Sequence, residues 1–192
     1  MEISRVGTGP GTWDYSRGIV WRKTDRKVIA DIKRNFGHFP FTWMSQEGSE
    51  YLVCGEDYQG HSVVDLGKGV THVFVHEGAE KGGGFCWREL RPSPDGSRLL
   101  VEGCYWDSDF EWRVYDFAHP PTGPFPVIAY LSFLRGDPYD DALGPSDARW
   151  LDDSRVMLDQ TDVVDLRDPS FGLSGPELAQ RYPRIAGLFE TE

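Results

Sequence analysis

Three cysteines, Cys54, Cys86 and Cys104, could serve as metal ligands or as part of a disulfide framework. They are odd in number, widely spaced and set in apolar sequence, with no Cys-x-x-Cys and no paired histidine beside them. Buried, reduced thiols are therefore expected, with no metal and no cofactor. His72 and His76 would converge on one ion if they lay on a helix. Their segment, Thr71-His72-Val73-Phe74-Val75-His76, alternates as a strand does, which separates them by about 13 Å. The run Gly82-Gly83-Gly84 could cradle a phosphate, but a phosphate loop opens a helix and here an apolar strand follows. A flexible connector into Phe85 is the expected role, preceded by a single helical turn over residues 76–81.

Carboxylates offer a second kind of chemistry. Glu56, Asp57, Glu102 and Asp107 could supply an acid–base pair for hydrolysis of a sugar-like or other small substrate, provided two of them lie about 5 to 9.5 Å apart. Asp137, Asp140, Asp141, Asp147, Asp152 and Asp153 crowd a stretch containing proline and glycine, yet without the spacing of a calcium loop they read as solvated surface. No serine stands in a Gly-x-Ser-x-Gly elbow. Residues 17–34 carry seven Arg and Lys against Asp25 and Asp31. With Trp13, Tyr15, Trp21 and Phe36 as stacking surfaces they could hold an anion or a nucleic-acid backbone. The plainer account is an edge hairpin whose cations discourage edge-to-edge pairing. Two phrases combine aromatic rings with carboxylates, as partner-binding anchors do: Glu56-Asp57-Tyr58-Gln59 and Cys104-Tyr105-Trp106-Asp107. Both follow similar apolar strands, since Leu52-Val53-Cys54-Gly55 aligns with Leu100-Val101-Glu102-Gly103. Glu56, Asp57, Tyr58, Tyr105 and Trp106, with Trp87 nearby, form the candidate binding set. Bulky turns sealing strand ends would look the same.

The elements that must position these residues are short β-branched and aromatic runs separated by turns, almost none with helical periodicity, so the fold class is all-β. Residues 19–22 and 27–33 read as a hairpin with Val28, Ala30 and Ile32 on one face. Strands follow at residues 41–44, 51–54 and 61–66. The same order of aromatic strand, turn, apolar strand and apolar strand ending in Asp returns at residues 85–117 and, shortened, at 148–166. Asp65, Asp116 and Asp165 recur at intervals of 51 and 49 residues. Residues 51–54, 98–102 and 155–158 are expected to be the central strands of antiparallel units of about 50 residues, a spacing near that of propeller blades.

In Ser93-Pro94-Asp95-Gly96 and Val114-Tyr115-Asp116-Phe117 the chain resembles the WD40-like and related β-propeller repeats. It is also similar to a group of uncharacterised bacterial proteins with phrases like Gly55-Glu56-Asp57-Tyr58-Gln59-Gly60, Gly84-Phe85-Cys86-Trp87 and Gly103-Cys104-Tyr105-Trp106. The length of 192 residues suits one domain over residues 1–192, with units near 12–40, 41–84, 85–134 and 148–173. Residues 1–11 are expected to be flexible and 174–192 to form a helical tail. Ser174, Pro176 and Glu177 form the capping signature of a helix over residues 177–182. So few units leave three ways to manage the open edges: a compact four-unit propeller with a degenerate first blade, an incomplete meander capped by loops, or closure by homo-oligomerisation.

Charge and hydropathy bound the rest. Lys and Arg number 20 against 31 Asp and Glu, a net charge of -11, so nucleic acid and anionic membrane are not the expected partners of the surface as a whole. The longest apolar run, residues 124–134, contains two prolines and falls well short of the roughly 18 residues of a spanning helix. The first residues lack the apolar core of a secretory signal, and a cytoplasmic location is expected. The leading expectation is a non-enzymatic protein- or ligand-binding module, with a small carboxylate-dependent hydrolase as the alternative and anion binding through residues 17–34 as the third.

Overall fold

The computed structural model describes residues 1–7, 9–11, 13–56, 60–75, 84–105, 109–120, 123, 125–131 and 145–168. Among them are fourteen strands in four open antiparallel sheets and no α-helix. The first sheet comprises β1 (Glu2–Gly7), β2 (Asp14–Trp21) and β3 (Val28–Arg34). The second comprises β4 (Phe41–Gln46), β5 (Ser49–Glu56), β6 (Gly60–Asp65) and β7 (Val70–Phe74). The third comprises β8 (Cys86–Pro92), β9 (Arg98–Cys104), β10 (Glu111–Asp116) and β11 (Val127–Tyr130), and the fourth β12 (Ala148–Trp150), β13 (Arg155–Leu158) and β14 (Asp162–Asp165). In every sheet, neighbours in sequence are neighbours in space. The central strands expected at residues 51–54, 98–102 and 155–158 lie within β5, β9 and β13, each flanked on both sides.

Three hydrophobic cores join neighbouring sheets. Val20, Ala30, Ile32 and Phe39 of the first sheet and its exit meet Leu52, Cys54 and Val64 of the second. Tyr51, Val53 and Val63 of the second meet Trp87, Leu99, Val101 and Tyr115 of the third. Leu100, Trp112 and Val114 of the third meet Ala148, Val156, Leu158 and Val164 of the fourth. Successive residues of a strand point to opposite faces, so odd-numbered residues of β5 enter one core and even-numbered residues the other. Strands buried on both faces need unbroken apolar runs, which is what Leu52-Val53-Cys54 and Leu99-Leu100-Val101 supply.

The repeated turns have local causes. The Asp95 carboxylate accepts hydrogen bonds from Ser93 Oγ (2.7 Å) and Ser97 N (2.9 Å). Asp152 does the same for Ser154 N (2.9 Å) and Arg155 N (2.9 Å) one unit later. Gly96 has φ 74° and lies against β4, where a Cβ would come within 2.4 Å of Ser45 O, so glycine is required there on both counts. Asp65, Asp116 and Asp165 end their strands by accepting from the backbone N of Lys68, Ala118 and Arg167 at 2.9, 2.9 and 3.0 Å. The aspartate repeat is thus a turn-capping device.

Two expectations change. Residues 2–7, read as part of a flexible leader, form β1, paired with β2 from Glu2↔Ile19 to Gly7↔Asp14; the ladder, not burial, orders them, because every β1 residue is exposed. Only Cys54 is a buried thiol; Cys86 and Cys104 are half-buried because they stand at strand ends. The helix expected over residues 177–182 and the turn over 76–81 lie outside the described residues. No helix of the described residues is long and apolar enough to cross a membrane.

Candidate functional site

The two aromatic-carboxylate loops leave from strand ends that converge on Trp87. A Cβ on Gly55, next to last in β5, would meet Trp87 Cβ at 2.7 Å, so the two backbones can approach only because residue 55 has no side chain. On the other side, Trp87 of β8 stands opposite Gly103 of β9. Glu56 follows the first glycine directly, and Tyr105 follows the second by two positions. Asp57, Tyr58 and Trp106 of the candidate set lie outside the described residues.

Trp87 is buried (3% exposed), which takes its ring out of reach of a partner and makes it part of the core bordered by the ends of β5 and β9. His61 stacks on it at 4.4 Å and 8°, and Tyr115 tilts against it at 5.1 Å. Phe125 stacks on His61 at 4.7 Å. His61 Nε2 has no hydrogen-bond partner among the described residues, and burial pushes the imidazole from its ordinary 6.5 down to about 3. The folded-state value lies below the unfolded one, so the unfolded chain takes up the proton first. Stability is complete above pH 6.5 and falls on acidification, by up to about 1.4 kcal/mol per pH unit. Urea titrations between pH 7 and about 5, above the carboxylate range, should show this slope in the wild type and lose most of it in His61→Phe; an equal slope in both would remove His61 as its source.

Tyr105 is anchored by a buried cation. The Arg113 guanidinium of β10 lies 3.8 Å from the centroid of Phe85, 5.0 Å from Tyr105 and 4.9 Å from Tyr130, while its Nε donates to Glu111 Oε1 at 2.7 Å. Phe85 meets Tyr105 edge-on at 5.5 Å. Tyr105, one residue past the end of β9, is thus packed between the Arg113 guanidinium and the edge of Phe85. Sequence reasoning missed both His61 and Arg113. The available signal was a polar side chain at an inward position of a strand otherwise buried on both faces.

Of the four candidate carboxylates, Glu56 and Glu102 are described, and they lie on different faces of different sheets. Glu56 shares the face of β5 with Leu52 and Cys54, toward the first sheet, and accepts a hydrogen bond from Ser62 Oγ. Glu102 shares the face of β9 with Leu100, toward the fourth sheet. The second and third sheets stand between them, and one sheet-to-sheet spacing alone is about 10 Å. Burial raises the pKa of the Glu102 carboxyl, while Arg88 Nη1, 2.9 Å away, pulls it in the opposite direction. Asp107 lies outside the described residues. Among the described residues no three His, Cys, Asp or Glu side chains gather as a metal site would require.

The basic hairpin is partly neutralised from within. Arg17 donates to both oxygens of Asp31, at 2.7 and 2.6 Å, and Arg22 pairs with Asp25 at 3.3 Å. Arg34 is buried and donates to His38 O at 2.7 Å. Arg26 lies over the Trp21 ring at 5.6 Å, so four of the seven cations make internal contacts.

The chain is 30% identical over 158 residues to an uncharacterised protein of Acanthamoeba polyphaga mimivirus, an alignment covering 82% of this chain and 61% of that protein. The chain thus spans less than two thirds of that relative's length. No family model matches the chain, and no solved structure does.

Proposed function

We propose that the chain is a non-enzymatic binding module whose four sheets are successive units of a propeller-like array. Its protein or small-molecule partner sits on the loops that carry Glu56, Asp57, Tyr58, Tyr105 and Trp106. The observation that carries the reading is the convergence of β5 and β9 at Trp87, through the close contact at Gly55 and the pairing with Gly103. Two segments of like composition follow strand ends that both border Trp87, and hot spots of binding are built from aromatic anchors on packed supports. Serial packing of consecutive antiparallel sheets supports the propeller-like arrangement. The separation of Glu56 from Glu102 favours binding over carboxylate hydrolysis.

The double variant Tyr58→Ala/Trp106→Ala separates recognition from sealing. As a recognition surface the pair gives a variant that melts within about 2 °C of wild type, a shift fitting a surface change of some 0.5 kcal/mol, and that no longer captures the partner retained by wild type from the native host. If the rings only close strand ends, the melting temperature drops sharply. Undiminished capture by a folded variant overturns the proposal.

A further inference from the structure

We propose that Cys86 and Cys104 form a reversible disulfide across β8 and β9, a modification site independent of the binding reading. The two residues are direct partners in the antiparallel ladder. Residues so paired have Cα atoms about 4.5 or 5.5 Å apart, depending on the rung, and both distances fall inside the roughly 4.4 to 6.8 Å that a disulfide accepts. Directly opposed side chains also leave the sheet on the same face. Cys86 is the first residue of β8 and Cys104 the last of β9, so the bond joins a terminal rung, where small adjustments of the backbone disturb little of the ladder. Both thiols are half-buried and thus reachable by a small oxidant. Cys54, by contrast, is buried in the core between the first and second sheets, and burial pushes its thiol well above the usual range.

The oxidant is a low-molecular-weight disulfide of the glutathione class. One cysteine thiolate attacks a sulfur of oxidised glutathione, forms a mixed disulfide and releases one reduced glutathione. The second cysteine thiolate attacks the protein sulfur of that mixed disulfide, closes Cys86–Cys104 and releases the second glutathione. Two protein thiols are oxidised and one glutathione disulfide is reduced to two thiols, with the two protons carried by the products. The new bond ties the first residue of β8 to the last of β9, directly before Tyr105.

The full chain is equilibrated in equal concentrations of reduced and oxidised glutathione, acid-quenched, alkylated and digested with trypsin. Mass spectrometry should find the peptide containing Cys86 linked to the peptide containing Cys104, with Cys54 alkylated only after denaturation. Dithiothreitol should reverse the link. Cys54→Ala should retain it, and Cys86→Ser or Cys104→Ser should abolish it and leave a glutathione adduct on the remaining partner. The oxidised chain should melt roughly 5 to 10 °C above the reduced one. Separate glutathione adducts on wild-type Cys86 and Cys104, unmodified thiols, a link to Cys54, or a link formed only in denaturant would each overturn the proposal.

Discussion

Trp87→Ala should destabilise the protein by about 3 to 5 kcal/mol, the range for removing a large buried aromatic side chain. The ring is 3% exposed and is held between His61 at 4.4 Å and Tyr115 at 5.1 Å, so its removal opens a void that neither neighbour can fill without leaving its own strand. The effect reaches beyond the cavity, because Gly55 and Gly103 are spaced to accept this side of β8. Urea denaturation should register the loss as a lower midpoint at unchanged slope. A cost under about 1 kcal/mol would show that the core around Trp87 collapses readily around the missing ring.

Arg113→Ala should cost a similar amount, about 3 to 5 kcal/mol, for a different reason. Arg113 is fully buried, and Glu111, its ion-pair partner, has a side chain only 14% exposed. Removing the cation strands a largely dehydrated carboxylate and also takes the planar group from among Phe85, Tyr105 and Tyr130. Arg113→Lys should recover only part of the loss, since an ammonium cannot fill the flat space between the rings. Arg113→Met/Glu111→Gln should recover more, because it removes both charges while keeping volume. If the double variant is no more stable than Arg113→Ala, stacking rather than the stranded charge carries the effect.

The strands most legible in the sequence are those that burial dictates on both faces. Leu52-Val53-Cys54 and Leu99-Leu100-Val101 admit almost no other reading between their turns, and Asp95 and Asp152 mark turns whose hydrogen bonds the structure displays. β1 was illegible because Glu2, Ser4 and Arg5 carry no burial signal; its order comes from backbone pairing with β2, which composition does not encode. For the candidate site, the two phrases follow β5 and β9, whose ends each border Trp87, while Asp57, Tyr58 and Trp106 lie outside the described residues. The depth of Trp87 was not readable, since an aromatic residue beside glycines suits a surface loop as well as a core. Arg113 was hidden for the opposite reason, because a charged side chain is ordinarily taken as solvated.

The two-sided burial of β5 and β9 has a consequence for how this chain can change length. Slipping either strand by one residue would exchange the side chains of two cores at once, sending Val53 into the space shaped for Leu52 or Cys54, and Val101 into that shaped for Leu100. A slip by two would restore the faces but misplace Gly55 or Gly103 beneath Trp87. A one-residue insertion or deletion within β5 or β9 should therefore cost far more stability than one in the connections between strands.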